Sequence, residues 1–159
     1  MEMETDPKSV ASEVFRDVLE NLAFMFADEA QADDLPEAPA EARRADMQFT
    51  GVMAGALALA VPSEMCLEIA ANMLGVDPDD DRAMEKAQDA LKELLNITCG
   101  HVLTQLAGEE PVFDLSVPQV ASVTAEQWDA FARDAQTSAF LIDDIEPALL
   151  KLVLDKADS

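Results

Sequence analysis

The sequence predicts one α+β domain in which an antiparallel sheet is packed with long helices. Three observations lead to this fold class. Apolar residues recur at helical spacing in an early segment, 7–27, and in a long one, 80–106. Shorter segments alternate apolar and polar residues and are bounded by glycine or proline. Half of the 159 residues are hydrophobic, enough to bury one core, so residues 1–159 are treated as a single domain.

Helical periodicity and capping residues predict four helices. The segments are 7–27, 63–74, 80–106 and the stretch that carries Trp128 and Phe131. Ser63 can cap the second helix, which Gly75 closes, and Gly108 ends the third. Thr124 caps the fourth, because its hydroxyl can accept a hydrogen bond from the first helical turn.

Alternation between turn residues predicts five strands. The segments are 47–49, 52–61, 112–117, 138–142 and 148–154. The first two form a hairpin around Thr50 and Gly51, and the last two pair around the turn Asp143-Asp144. Residues 28–45 are acidic, rich in alanine and proline, and lack an apolar period, so they are predicted to form a connecting loop.

The charge excludes two classes of partner. A formal charge of −23 argues against nucleic acid, whose phosphates demand lysine and arginine. It argues equally against an anionic membrane surface. A partner with a basic face would be attracted, although solubility is an equally good reason for the charge.

Cysteine usage and the first residues indicate a cytoplasmic protein. Cys66 and Cys99 are the only cysteines, and both lie in helical patterns, which is typical of reduced core thiols. The acidic residues 1–7 lack the cationic and then apolar layout of a signal peptide. No apolar run approaches the length that spans a bilayer.

A polar stripe on the long predicted helix is the best indication of function. At about 100° per residue, Asp89, Glu93, Asn96 and Gly100 fall on one narrow face. Asn is a poor residue for mid-helix, like charges at i and i+4 repel, and glycine weakens a helix. These features favour a surface that meets a partner. Taken alone, Glu-x-x-Asn is a weak signal, and its plain alternative is a solvated helix face.

Other kinds of site fit the sequence poorly. A calcium loop beginning at Asp77 would need glycine where Arg82 stands and glutamate where Gln88 stands. His101 is the only histidine, which excludes a histidine-based metal cluster, and it lies off the stripe. No glycine-rich phosphate loop is present. We therefore expect no metal or cofactor site in this chain.

The residue types of the stripe suit one chemistry. A carboxamide donates and accepts hydrogen bonds, so Asn96 could hold a water in line with a phosphorus atom. Hydrolysis of an acyl phosphate needs little beyond that positioning and a metal supplied elsewhere. Glu93 could bind a lysine of the phosphorylated partner.

These residues resemble the CheC/CheX/FliY family of chemotaxis phosphatases, which dephosphorylate the response regulator CheY. The similarity lies in Asp89-x3-Glu93-x2-Asn96, followed by residues 97–100 and a strand ending at Pro118. The glycine-bracketed segment 49–62 and the helix end at 73–75 are also similar. The resemblance extends over residues 10–154, nearly the whole chain.

The resemblance implies a role for each residue of the stripe. Asn96 matches the residue that orients water on the aspartyl phosphate, and Glu93 matches the acid that pairs with a receiver lysine. Asp89 matches an acidic or serine position, and Gly100 would leave clearance for the partner. The expected partner is a phosphorylated CheY-like response regulator, with Mg²⁺ held in its receiver domain rather than in this chain.

Glu-x-x-Asn occurs only once in the sequence. The first helix offers Asp17 and Asn21 but no glutamate at the required spacing. The chain is therefore most like CheX, which functions as a homodimer. Two alternatives stay open: a module that binds a phosphorylated regulator without turnover, and a small-ligand or oligomerisation domain in which the stripe is incidental.

Overall fold

The computed structural model describes residues 6–155, which form an antiparallel sheet with helices on both faces. The helices are α1 (Pro7–Ala23), α2 (Ser63–Leu74), α3 (Asp81–Ala107) and α4 (Ala125–Arg133). The strands are β1 (Ala27–Ala30), β2 (Ala42–Thr50), β3 (Gly55–Pro62), β4 (Asp114–Leu115), β5 (Gln119–Val123), β6 (Thr137–Ile142) and β7 (Glu146–Leu154). The predicted α+β class with an antiparallel sheet is confirmed.

The sheet has the strand order β1-β6-β7-β3-β2, and β4 and β5 both pair with the outer edge of β2. Every pairing between the described strands is antiparallel. The centre is held by β3, where Leu59 lies opposite Ala45 of β2 and Leu150 of β7. The first and last strands of the described chain, β1 and β7, both pair with β6.

Alternation along β3 divides the core between the two faces of the sheet. Leu57, Leu59 and Val61 belong to the large cluster that α1, α2 and α3 cover. Ala58 and Ala60 face the other way and belong to a smaller cluster with Trp128 and Phe131 of α4. The alanine-rich sequence of β3 is therefore explained by the bulky α4 side chains, which need small neighbours.

The predicted first helix is too long. α1 ends at Ala23, and Phe24 adopts the left-handed conformation with φ 57°. In the sequence, Phe24 and Phe26 extend the apolar stripe of the predicted helix. In the structure both are exposed, and only Met25 between them is buried. Residue 27 already begins β1 and pairs with Ile142.

The predicted loop at 28–45 is wrong at both ends. Its first residues belong to β1, and its last four, from Ala42, belong to β2. The strands escaped detection because their inward residues are alanines, which give little apolar contrast. Within β2 the Arg44 guanidinium lies 4.6 Å from the centre of the Phe131 ring, so a charged residue covers an aromatic one.

The region around Pro118 also differs from the sequence prediction. Of the predicted strand 112–117, only Asp114–Leu115 pairs, and β5 follows Pro118 instead of the chain leaving the sheet there. β5 is mostly exposed, with Val123 its only buried residue, so it lacks the alternation by which strands are recognised. β3 likewise begins at Gly55, after a turn, rather than at residue 52.

The cysteine prediction agrees with the structure, because Cys66 and Cys99 are free and buried. Burial raises the pKa of each thiol to about 11, which keeps both protonated at neutral pH. No helix among residues 6–155 is long and apolar enough to cross a membrane.

Candidate functional site

The candidate site is the outward face of α3, a helix of 27 residues whose other face is fixed in the core. Its inward side chains are fully buried; among them are Leu91, Leu94, Leu95, Thr98 and Val102. The Thr98 hydroxyl donates to the Leu94 carbonyl at 2.7 Å, which satisfies the one polar group on this side. The helix therefore cannot rotate without exposing its apolar face, and the outward face is set.

Asp80 precedes this helix as its N-cap, which gives the acidic turn a structural role. The Asp80 carboxylate accepts from the backbone N–H of Arg82 at 2.8 Å, which caps the helix. The Arg82 side chain also binds the same carboxylate and lowers its pKa. Among residues 6–155 no group of three or more histidine, cysteine, aspartate or glutamate side chains is arranged to hold a metal ion.

Glu93 and Asn96 are both exposed, one turn apart, on the outward face. Within the described chain neither side chain has a hydrogen-bond or ion-pair partner of its own. Asp89, one turn earlier, is exposed and lies 3.9 Å from the Lys86 ammonium, a solvent-screened pair that contributes little. A free carboxylate and a free carboxamide are thus available to a molecule that docks on α3.

Gly100 lies on the same face and borders open space. A Cβ built on Gly100 would meet nothing within 4 Å, so packing inside the described chain does not require glycine there. Gly55 in the sheet is the opposite case, because a Cβ there would lie 2.2 Å from the Val153 carbonyl oxygen. The structure thus leaves room above Gly100.

A groove runs between α1 and α3 beside this face and has a volume of about 370 Å³. Its apolar lining comes from Val14, Val18, Leu22 and Ile97, and its polar lining from Asp17, Asn21, His101 and Gln105. Asp17, Asn21 and His101, which sequence reasoning set aside, therefore meet next to the polar stripe. Sequence periodicity could not find this groove because it forms only when two distant helices pack side by side.

The comparisons with known proteins identify the family. A sequence profile described as chemotaxis phosphatase CheX matches residues 45–137, more than half of the chain and the whole of α3. A search of curated proteins gives no match.

Solved structures with the same fold include CheX and CheC-like proteins. The CheX from Borrelia burgdorferi, in a complex with CheY, BeF₃ and Mg²⁺, has a TM-score of 0.65 at 17% identity, with 96% of this chain and 100% of that chain covered. The CheX from Vibrio vulnificus has a TM-score of 0.68 at 17% identity, with 98% and 100% covered. A CheC-like protein from Shewanella sp. PV-4 has a TM-score of 0.64 at 18% identity, with 97% and 100% covered.

At these identities the structural matches show a shared fold, and the profile match supplies the family. The chain belongs to the CheX family of chemotaxis phosphatases, within the CheC/CheX/FliY group that its α3 stripe resembles.

Proposed function

We propose that this protein hydrolyses the aspartyl phosphate of a CheY-like receiver domain, with Asn96 and Glu93 as the working residues. The proposal depends chiefly on one observation. In a chain of the CheX family, Glu93 and Asn96 are exposed one turn apart on one helix, without hydrogen-bond or ion-pair partners among residues 6–155. The CheX–CheY complex from Borrelia burgdorferi supports a CheY-like partner by analogy.

In the proposed reaction, Asn96 holds a water molecule opposite the bond between phosphorus and the aspartyl oxygen. The water oxygen forms a new bond to phosphorus, the bond to the aspartyl oxygen breaks, and the products are inorganic phosphate and a free carboxylate. The carboxamide acts by orientation, since it can accept from the water and donate to a phosphoryl oxygen.

Glu93 would pair with a lysine of the receiver and so bring Asn96 into position. A charge-assisted contact of this kind is stronger than a neutral hydrogen bond. Asp89 adds negative potential on the same face, and the space above Gly100 admits the partner's backbone. The Mg²⁺ ion is proposed to belong to the receiver, where it shields the phosphoryl charge; this chain supplies none of its ligands.

The first test follows the loss of label from a phosphorylated receiver domain with each purified variant. Asn96→Ala is expected to reduce the added hydrolysis by about 10²-fold or more, the scale of a lost positioning group. Glu93→Ala is expected to weaken hydrolysis strongly as well. Gln88→Ala and Glu110→Ala remove exposed groups of the same types outside the stripe and should leave the rate unchanged.

The same assay separates catalysis from simple binding. If the receiver binds and its phosphate decays no faster than in the receiver alone, the protein is a binding module and the proposed activity is wrong. If the cognate receivers neither bind nor decay faster, the stripe is incidental.

We further propose that the protein works as a homodimer in the cytoplasm. The outer edge of β5 is unpaired among the described strands, and exposed Val112 and Val117 lie close to it in sequence. Two buried, free cysteines fit a reducing compartment. Light scattering should give twice the chain mass of 17.2 kDa, and a clean monomer at working concentrations would contradict the dimer.

A further inference from the structure

We infer a second interaction surface, distinct from α3, that binds a protein segment carrying large apolar side chains between lysines or arginines. It consists of Phe24 and Phe26 in the turn between α1 and β1, and Ile145 in the turn between β6 and β7. These three residues are called the two-turn patch. The inference goes beyond the proposed hydrolysis and does not depend on it.

Two hydrogen bonds join the two turns, one to a side-chain carboxylate and one between backbones. The N–H of Phe26 donates to the Asp143 carboxylate at 3.0 Å, and the N–H of Asp143 donates to the Phe26 carbonyl at 2.8 Å. Ala27 and Ile142 then form the first residue pair of the β1–β6 ladder. Phe24 precedes this junction by two residues and Ile145 follows it by two, so all three belong to one small, ordered region.

The three apolar side chains of the patch are strongly exposed. The exposed fraction is 69% for Phe24, 58% for Phe26 and 74% for Ile145. Met25, between the two aromatic residues, is buried, so the chain is anchored while its neighbours project outward. Grouped large apolar side chains on a surface typically mark a place where another molecule binds.

The backbone of Phe24 supplies independent support. Phe24 ends α1 with φ 57° and ψ 33°, and its N–H donates to the Glu20 carbonyl at 3.1 Å. Glycine is the usual residue here, because a Cβ atom is strained in the left-handed region. Phe24 is therefore unfavourable both in its backbone conformation and in the exposure of its side chain. This favours a role in binding another molecule rather than in stabilising the fold.

Carboxylates flank the residues of the patch in sequence. The segments 20–28 and 143–146 contain no lysine or arginine. They contribute Glu20, Asp28, Asp143, Asp144 and Glu146. A basic partner would therefore gain favourable charge contacts around an apolar centre.

A hollow of about 310 Å³ adjoins Phe26 and could receive a cationic side chain. Its acidic lining is Glu13, Asp17, Glu20 and Asp28. The one cation in its lining is Arg16, whose Nε donates to the Ala27 carbonyl at 2.8 Å. The lining is thus net negative beside an exposed aromatic ring, which suits lysine or arginine.

Carboxyl groups are also crowded next to the turn between β6 and β7. The pKa of the Glu146 carboxyl is raised to about 7, first by burial and then by the Glu68 carboxyl, which shares a hydrogen bond with it. Repulsion from Glu64 and Asp143 adds to this effect. The groups that shift the pKa of Glu146 include no cation, so the repulsion is not relieved in the free protein. A cationic partner would relieve it.

The acidic surroundings also discriminate between kinds of partner. An anionic lipid surface would be repelled. A second copy of this chain, placed with its own patch on this one, would bring two rings of carboxylates together. A basic protein segment meets neither obstacle, and it is the partner that the patch fits.

The test uses a fluorescein-labelled amphipathic peptide of leucine and lysine, with fluorescence anisotropy as the readout. The full-length protein should bind it, and peptides with serine for leucine or glutamate for lysine should bind at least about tenfold more weakly. Phe24→Gly and Ile145→Ser should each weaken binding of the leucine–lysine peptide by about tenfold. Val52→Ser, which removes an exposed apolar side chain elsewhere, should have no effect.

Phe24→Gly also keeps the test independent of folding, since glycine suits the left-handed conformation and should leave the melting temperature unchanged or higher. Unchanged peptide affinity in Phe24→Gly, or an equal loss in Val52→Ser, would overturn the inference. So would binding to anionic vesicles, or self-association in sedimentation, if Phe24→Gly abolished either one.

Discussion

At the residue scale, α3 separates side chains that hold the helix in place from those that face outward. Leu94 and Leu95 are buried, while Glu93 and Asn96, which flank them in sequence, are exposed and have no side-chain partner within the part of the chain that the structure describes. This division was predictable from the sequence, because the helical period alone decides which residues share a face. The raised pKa of Glu146 was not predictable, since it depends on carboxyl groups of α2 lying beside the start of β7.

Two glycines should respond in opposite ways to the same substitution. Gly100→Ala is expected to raise the free energy of unfolding by up to about 1 kcal/mol, because alanine favours the helix and its Cβ meets open space. Gly55→Ala should destabilise the protein severely, since its Cβ would overlap the Val153 carbonyl. Urea titration measures both, and a destabilising Gly100→Ala would show that α3 is more crowded than described.

Glu146 should make stability depend on pH. Its pKa is raised from 4.5 to about 7 on folding, so the folded protein holds an extra proton between these values. Its stabilisation is therefore fully present below the unfolded value and is lost as pH rises through the folded value. Glu146→Gln should be about 1 kcal/mol more stable than the wild type at about pH 8, allowing for solvent screening, and equal to it at about pH 4.

Denaturant unfolding at the two pH values checks this prediction. Glu110→Gln, an exposed glutamate in the loop after α3, serves as the control and should change stability at neither pH. A wild type that matched or exceeded Glu146→Gln at the higher pH would contradict the proposed carboxyl crowding.

At the element scale, the sequence predicted the long helices and central strands better than the sheet edges. The period of α3 and the turn Asp143-Asp144 were found because several residues repeat one signal. β1 and β5 were missed because they are short edge strands whose side chains are mostly alanine or polar. Edge strands are specified by their neighbours in the sheet, and no local pattern reports those neighbours.

Helix caps give a prediction at this scale, because two predicted caps have different outcomes. Thr124 forms a capping box with Gln127, in which each side chain binds the other's backbone N–H. The predicted Ser63 cap is wrong, because Ser63 is the first residue of α2 and its buried hydroxyl has no partner in the described chain. Thr124→Ala should lower the free energy of unfolding by about 1 kcal/mol.

Ser63→Ala should be neutral or stabilising, since it removes an unsatisfied polar group. Thermal unfolding of Thr124→Ala and Ser63→Ala measures both changes in stability. Equal losses in both variants would mean that the Ser63 hydroxyl does stabilise the start of α2.

At the scale of the whole molecule, the sheet carries its helices so that two surfaces face outward. The α3 face was found from sequence because one helix contains all of it. The groove beside it was missed because it forms only when α1, distant in sequence, packs against α3. The two-turn patch was missed for a similar reason, since the turns that carry residues 24 and 145 are brought together only by the pairing of β1 with β6.

The charge of −23 acts across both surfaces and should influence the speed of association more than its specificity. A carboxylate-rich protein that binds basic faces should associate faster at low salt. The chemistry itself is assigned to one helix face.

The most direct test of the account is the maximal rate of phosphate loss from a phosphorylated CheY-like receiver, measured against increasing concentrations of wild type and Asn96→Ala. We predict that both proteins saturate the receiver at similar concentrations, since Asn96 orients water rather than binding the partner. We also predict that the saturating rate with Asn96→Ala falls to that of the receiver alone. An undiminished saturating rate in Asn96→Ala would contradict water positioning by this residue, and with it the proposed mechanism.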